Sequence, residues 1–319
     1  MDEIQLGSLI ASTLRMATPL ILCALAGTVS ERAGVIDLGL EGKMLMSAFA
    51  AAAAGAVSGS FVVAVLVAMA VGVAMSMLHG WGCVSQRGDQ VVMGMALTMT
   101  AAGLTVVLGL AWFQMGGQTP VLDDAVRLRP LLEIDPQALP AGLRGLALAF
   151  AGHNAMVYFA FAAVGGVWWL LYRTRFGLRL RATGENPAMV DAAGVSVKGM
   201  RYAALAINGA LSSLAGVYLV LALNASFSPN MTAGRGYMAL AAMIFGKWHP
   251  LGALAACILF GFLDAAAIQL QGVTLPGGGA VPVQAIQALP YVLTVVLLAG
   301  FIGRARAPAA LGRPYLKER

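Results

Sequence analysis

Residues Phe176 to Arg201 read FGLRLRATGENPAMVDAAGVSVKGMR, a polar and basic stretch inside a chain that is 60% hydrophobic and only 11% charged. Pro187 follows Glu185-Asn186, which favours a turn before a new helix, with Asn186 as its cap and Pro187 at its first position. The helix is expected near 187–193 and should stop at Gly194, because glycine takes the left-handed conformation that ends helices. The stretch therefore reads as a short surface helix with basic linkers on both sides. A loop that only holds positive charge on one side of a membrane explains the charges but not the helix.

Outward from this stretch the chain turns apolar in both directions. Runs near 154–172 and 202–223 flank it, and further runs fall near 9–29, 43–59, 61–80, 91–111, 251–271 and 284–303. About twenty residues suffice to cross roughly 30 Å of hydrocarbon at about 1.5 Å per residue. Helices are the expected form, since lipid cannot satisfy the open edge of a sheet. A shorter piece at 237–246, YMALAAMIFG, covers about half that thickness and suggests a broken or re-entrant helix. Small residues dominate the spans, as in AFAAAAAG from Ala48 to Gly55, and let helix backbones approach closely. The fold class is all-α: a polytopic transmembrane bundle of about eight to ten helices.

Composition supports the same class. A soluble domain keeps roughly a quarter of its residues charged, more than twice the share found here. The net charge of +6 does not point to nucleic acid, because no basic stripe is interleaved with aromatics. Basic residues instead report orientation. Arg173, Arg175, Arg179, Arg181, Lys198 and Arg201 flank the opening stretch, and Arg304, Arg306, Arg313, Lys317 and Arg319 fill the C-terminal tail. These are eleven of the 20 Lys and Arg, which assigns 173–201 and 304–319 to the cytoplasm. Alternation then places 30–42 and 81–90 inside, and 112–153 and the acidic N-terminus, MDEIQLGS, outside. That N-terminus does not read as a cleaved signal, so the first span stays as an anchor.

Catalytic patterns are not legible. GLEGKM at 39–44 resembles the tail of a phosphate-binding loop, but Asp37 stands where its first glycine belongs and Met44 replaces the hydroxyl that would hold magnesium. Cys23, Cys83 and Cys257 are far apart and suggest neither disulfides nor a metal site. His79, His153 and His249 are isolated, and His79 and His249 are expected at membrane interfaces. Any driving energy must come from a gradient or another subunit.

Charges at membrane depth need a reason. SERAGVIDLGLEGK, Ser30 to Lys43, carries Glu31, Arg32, Asp37, Glu41 and Lys43 between two apolar runs. It is either a turn whose acids and bases pair with one another or a broken helix lining a translocation path. Asp264 lies well inside a late span, buried against a helix end or lining a path. In GRGYMALAAMIFGKWHPLG, Gly234 to Gly252, a short helix opens after Gly-Arg-Gly and stops at Gly246, with Trp248 read as a membrane-belt aromatic.

Three stretches in order carry a resemblance: TPLILCALAGTVSERAGVIDLGLEGKMLMSAFAA, LRATGENPAMVDAAGVSV and MTAGRGYMALAAMIFGKWHPLGALAACILFGFLDA. Together they resemble the inner-membrane permease subunits of ABC importers over most of the chain, from about Thr18 to Gly303. Within these the chain is most similar to the nucleoside and simple-sugar branch, related to branched-chain amino-acid and ribose permeases. The resemblance implies a single permease domain over 1–319 with a type II importer fold in the bacterial inner membrane. It implies a second permease subunit, commonly a different chain, a cytoplasmic ABC ATPase that binds ATP and Mg, and a periplasmic or lipid-anchored substrate-binding protein. No cofactor and no metal are expected on this chain. The matching coupling positions are Glu185, Asn186, Pro187, Ala188, Ala192, Ala193 and Gly194, although the loop departs from the usual EAA pattern. Candidates for the translocation path are Asp37, Gly39, Glu41, Gly42, Asn208, Asn224, Gly236 and Asp264. Phe227 or Trp112 could stack on a base. A secondary transporter or a membrane scaffold are the rivals from other classes.

Overall fold

The computed structural model describes residues 3–132, 140, 144–270, 288, 292 and 306–317. The first helix, α1 (Glu3–Arg32), is followed by α2 (Leu40–Ser58), α3 (Phe61–Gly80) and α4 (Gln90–Phe113). The order continues with α5 (Arg144–Phe150), α6 (Ala155–Arg173), α7 (Arg175–Glu185), α8 (Pro187–Ala192), α9 (Val197–Tyr218), α10 (Arg235–Phe245) and α11 (Pro250–Gln269). Short π-helical turns extend α3 through Trp81–Ser85 and α9 through Leu219–Leu223. Among the described residues, seven helices are long and apolar enough to cross a membrane. The chain is thus an all-α multi-pass membrane protein. The run near 284–303 lies outside the described residues except for 288 and 292.

α1, α2 and α9 form the inner set, whereas α3, α4, α6 and α11 turn most of their surface outward. Small side chains permit this packing. Where α3 crosses α9, a Cβ on Gly209 would stand 2.6 Å from the Gly72 carbonyl oxygen and 2.7 Å from Val73 Cα. The backbones touch there, as small-residue interfaces allow in lipid.

Hydrogen bonds sort the connections to two ends. At one, here the basic end, Gly34 meets Gly312, Gly184 meets Ala310, and Ser85 meets Tyr202. At the other, Leu122 bonds Ala225, Leu128 bonds Leu221, Leu131 bonds His153, and Gln269 reaches Ser8.

α10 completes a crossing that begins without regular structure. After Asn224 the chain descends through tight turns at Ser228–Met231, Asn230–Ala233 and Thr232–Arg235 before α10 starts. The half-length piece expected at 237–246 is therefore an eleven-residue helix. Two elements differ from expectation. α5 is a short helix within 112–153, where only turns were expected, and a Cβ on Gly7 of α1 would stand 2.8 Å from Gly145 Cα. The N-terminal flank of the opening stretch is α7, a helix and not a linker. Thr174 caps it by accepting from Gly177 N at 3.0 Å, and Arg181 folds back to donate to Leu171 O at 3.0 Å. Arg181 thereby serves a free carbonyl in the last turn of α6.

Candidate functional site

The opening stretch folds as its local chemistry requires. Asn186 Oδ1 accepts from Met189 N at 3.2 Å, Pro187 occupies the first turn of α8, and Gly194 ends it at φ +76°. Val190 turns inward, while Glu185, Asn186, Ala188, Ala192, Ala193 and Gly194 are exposed and Pro187 is half-buried. Met189 projects at 70% exposure beside an apolar groove that α7 and α8 share through Leu178, Ala182 and Val195. This is a small-residue face with one flexible apolar side chain, with α7 before it and α9 after it. Such a surface suits insertion into a groove of another protein.

Beneath the basic end lies a sealed polar network. Asp37 sits in the turn after α1, and Lys43 Nζ donates to its Oδ2 at 2.6 Å. His79 Nδ1 of α3 lies 3.0 Å from Asp37 Oδ1, at an angle outside hydrogen-bond geometry. Lys43 Nζ also donates to Asn208 Oδ1 of α9 at 3.0 Å, as does Ser76 Oγ at 3.1 Å. Asn208 Nδ2 completes the set by donating to Ala26 O at 3.0 Å and to Ser30 Oγ at 3.2 Å. Asp37, Lys43, Ser76, His79 and Asn208 are all 0% exposed. Burial alone would raise the Asp37 carboxyl, but Lys43 and His79 beside it hold it well below the usual carboxylate range. One ion pair thus ties the α1–α2 turn to α3 and α9. His79 is consequently not at an interface: the acid in the turn draws it inside. Among the charges of Ser30–Lys43, Asp37 and Lys43 pair with each other, out of contact with solvent.

A second pair of candidates meets at the start of α10. Glu41 Oε1 accepts from Gly234 N at 2.8 Å and its Oε2 from Gly236 N at 2.6 Å. The carboxylate caps a helix N-terminus that lipid could not satisfy. A Cβ on Gly236 would stand 2.6 Å from Glu41 Cα, so the close approach needs glycine there. Gly39 and Gly42 serve the crossing of α2 over α4; a Cβ on Gly42 would lie 2.6 Å from Thr98 Cα.

At its other end α10 is held by α1. Trp248 Nε1 donates to Glu31 Oε2 at 2.6 Å, and Arg32 Nε donates to Trp248 O at 2.9 Å. Trp248 is buried at 6% exposure, so it is a structural anchor and not a belt aromatic. His249 packs against Tyr172 at the same turn, with ring centroids 5.1 Å apart and the planes tilted by 39°.

The remaining candidates lie apart. Asn224 Nδ2 donates to Leu219 O at 2.8 Å and closes the π-turn after α9, with its residue exposed. Asp264 is half-buried on α11 and feels the charge of Arg235. Phe227 is fully buried, edge-on to Phe49 at 5.2 Å, while Trp112 is 60% exposed and stacks on Phe49 at 5.8 Å. Lys43, which links Asp37 to Asn208, and His79, which lies beside Asp37, were not among the candidates. Lys43 at least shares a charged segment with Asp37, but nothing in the pattern around His79 marks it.

Comparison with known proteins gives consistent matches. The family described as branched-chain amino acid transport system / permease component matches residues 9–301. The guanosine ABC transporter permease protein NupQ of Bacillus subtilis is 36% identical, covering 99% of both chains. The nucleoside ABC transporter permease protein NupC of Lactococcus lactis is 33% identical, covering 98% of this chain and 97% of its own. The putative glucose ABC transporter permease protein TsgC13 of Haloferax volcanii is 34% identical over 97% of this chain and 98% of its own.

Proposed function

The chain belongs to the permease-component family of branched-chain amino acid transport systems, and from that membership we propose that it forms half of the translocation path of an ATP-driven nucleoside importer. Identity of 33% to 36% with the nucleoside and guanosine permeases over nearly the full length of each chain carries the substrate class. A simple sugar is the second reading, favoured by the similarity to the glucose permease.

In this reading the chain sits in the bacterial inner membrane with its basic end in the cytoplasm. Residues 173–201 are the coupling loop, 112–153 the periplasmic loop and 304–319 a cytoplasmic tail. α8 docks in a cleft of a cytoplasmic ATPase, whose partner subunits bind ATP and Mg. A second permease subunit completes the path, and a periplasmic or lipid-anchored binding protein delivers the solute. ATP closes the ATPase pair, α8 follows as a rigid body, and the bundles rock to change the side on which the path opens. This chain supplies no catalytic group. It turns a displacement at α8 into a change of access.

The path candidates divide by burial. Asp37, Gly39, Glu41, Gly42, Asn208 and Gly236 are buried within this chain and act on the path as its frame. Asn224 and Asp264 keep accessible surface and are the members proposed to face solute. A secondary transporter would need buried acids free to exchange protons or bind ions. Here Glu31, Asp37 and Glu41 each hold a structural partner.

Reconstitution tests the proposal. The chain is co-expressed with its partner ATPase, second permease and binding protein, and uptake of radiolabelled guanosine and glucose is measured in proteoliposomes. ATP-dependent guanosine uptake, competed by unlabelled nucleosides and not by glucose, is the expected result. Uptake of glucose alone would establish the sugar reading, and uptake without an ATPase would end both.

A further inference from the structure

The C-terminal segment 306–317 threads between the α7–α8 hairpin and the turn after α1. Ala310 N donates to Gly184 O at 2.8 Å, and Gly312 N donates to Gly34 O at 3.2 Å. Ala309 N donates to Glu185 Oε2 at 3.2 Å, and Arg201 Nη1 donates to Arg313 O at 3.1 Å. Lys317 Nζ lies 3.6 Å from Asp191 Oδ1 on α8. The segment therefore touches both helices of the hairpin, the start of α9, and a turn that reaches Asp37 three residues after Gly34.

The fit leaves no slack. A Cβ on Gly34 would stand 3.2 Å from Ala310 O, 3.2 Å from Arg201 Nη2 and 3.4 Å from Gly184 Cα. Ala310 is buried at 6% exposure and Arg201 at 1%. The guanidinium of Arg201 keeps Nε and Nη2 without a hydrogen-bond partner among the described residues, so the tail carbonyl is what holds it. A tail needed only for its positive charge would be solvated and would make none of these contacts.

We infer that residues 308–317 are a positioning strap that locks the α7–α8 hairpin to the α1–α2 turn, so that displacement of α8 reaches Asp37 and, through Lys43 and His79, α2, α3 and α9. The inference rests on the reading of α8 as the coupling helix. α8 is only six residues long, bounded by Asn186 and by Gly194 at φ +76°, and without a second attachment it can bend at both ends while the bundle stays still. The strap removes that freedom by joining its flank and Asp191 to the frame.

The test uses the complete importer in proteoliposomes with guanosine as the probe. One variant ends after Ala307. The other, Gly312→Val, forces a branched side chain onto φ +76°, where its Cβ would meet Ile36 Cδ1 at 2.8 Å, and leaves every helix untouched. Both should retain the ATPase on purification and continue to hydrolyse ATP. Guanosine moved per ATP should fall about tenfold, an ordinary magnitude for coupling between two sites. An unchanged ratio in Gly312→Val, with a coupled wild type, overturns the strap and leaves the coupling helix standing. Loss of the ATPase from both variants also overturns it, because the tail is then a docking surface. A wild-type complex that binds its ATPase but never couples hydrolysis to uptake removes the coupling reading, and the strap with it.

Discussion

Glu41 on α2 accepts the backbone amide proton of Gly236 on α10 at 2.6 Å, which fastens the broken crossing to a continuous helix. The carboxylate supplies both the acceptors and the negative charge that a helix N-terminus inside a bundle demands. Glu41→Gln keeps one acceptor and loses the charge, and should destabilise the protein by about 1–2 kcal/mol. Glu41→Ala leaves both amides unsatisfied and should lower the melting midpoint in detergent further. Equal midpoints for the two variants would show that the cap does not hold α10.

The ion pair beneath the basic end has a different signature. Lys43→Met leaves the Asp37 carboxylate buried without its ammonium partner, and breaking such a pair typically costs about 3–5 kcal/mol. Lys43→Met with Asp37→Asn removes the stranded charge and should recover much of the loss. A double-mutant cycle on thermal unfolding reads the coupling directly. Additive effects would mean that the two side chains do not depend on each other.

Gly194 separates folding from coupling. At φ +76° a β-branched residue is strained, yet nothing stands within 4 Å of a Cβ there, so the cost stays local to the end of α8. Gly194→Val should insert normally and melt close to wild type while ATP-driven uptake is lost. Retained uptake would exclude α8 as the docking element.

Much of this was legible because it is local. Asn186, Pro187 and Gly194 mark the ends of α8 within nine residues of chain, and each acts on its own backbone. The long spans follow from apolar length alone. The half-helix was visible as a run too short to cross, but its partner was not, since Glu41 reaches Gly236 across 195 positions. His79 illustrates the limit: an isolated histidine in an apolar run reads as interfacial, and only packing against Asp37 makes it internal. The tail shows the same limit, for its basic residues speak only to the side of the membrane while its backbone, which composition does not describe, makes the contacts.

His153 gives a pH dependence at the opposite end. It precedes α6, is 2% exposed, and its Nε2 lies 2.8 Å from Ala149 O, while Nδ1 is buried without a partner among the described residues. Burial pushes its pKa below the ordinary 6.5, and nearby Arg15 adds to the effect although the Ala149 carbonyl opposes it. The folded state therefore prefers the neutral ring. Its stability is fully present above about 6.5 and declines as pH falls from there toward the lowered folded value, because the unfolded chain takes up the proton first. Protonation would place a second N–H where the described residues offer it no acceptor. The backbone of His153 also accepts from Leu131 N at 3.0 Å, so the loop before it should loosen first. His153→Gln keeps an N–H for Ala149 and does not titrate. The melting midpoint of wild type should drop between pH 7.5 and 5 relative to that of His153→Gln, with earlier proteolysis within 114–132. Parallel profiles for the two proteins would show that the acid sensitivity arises elsewhere.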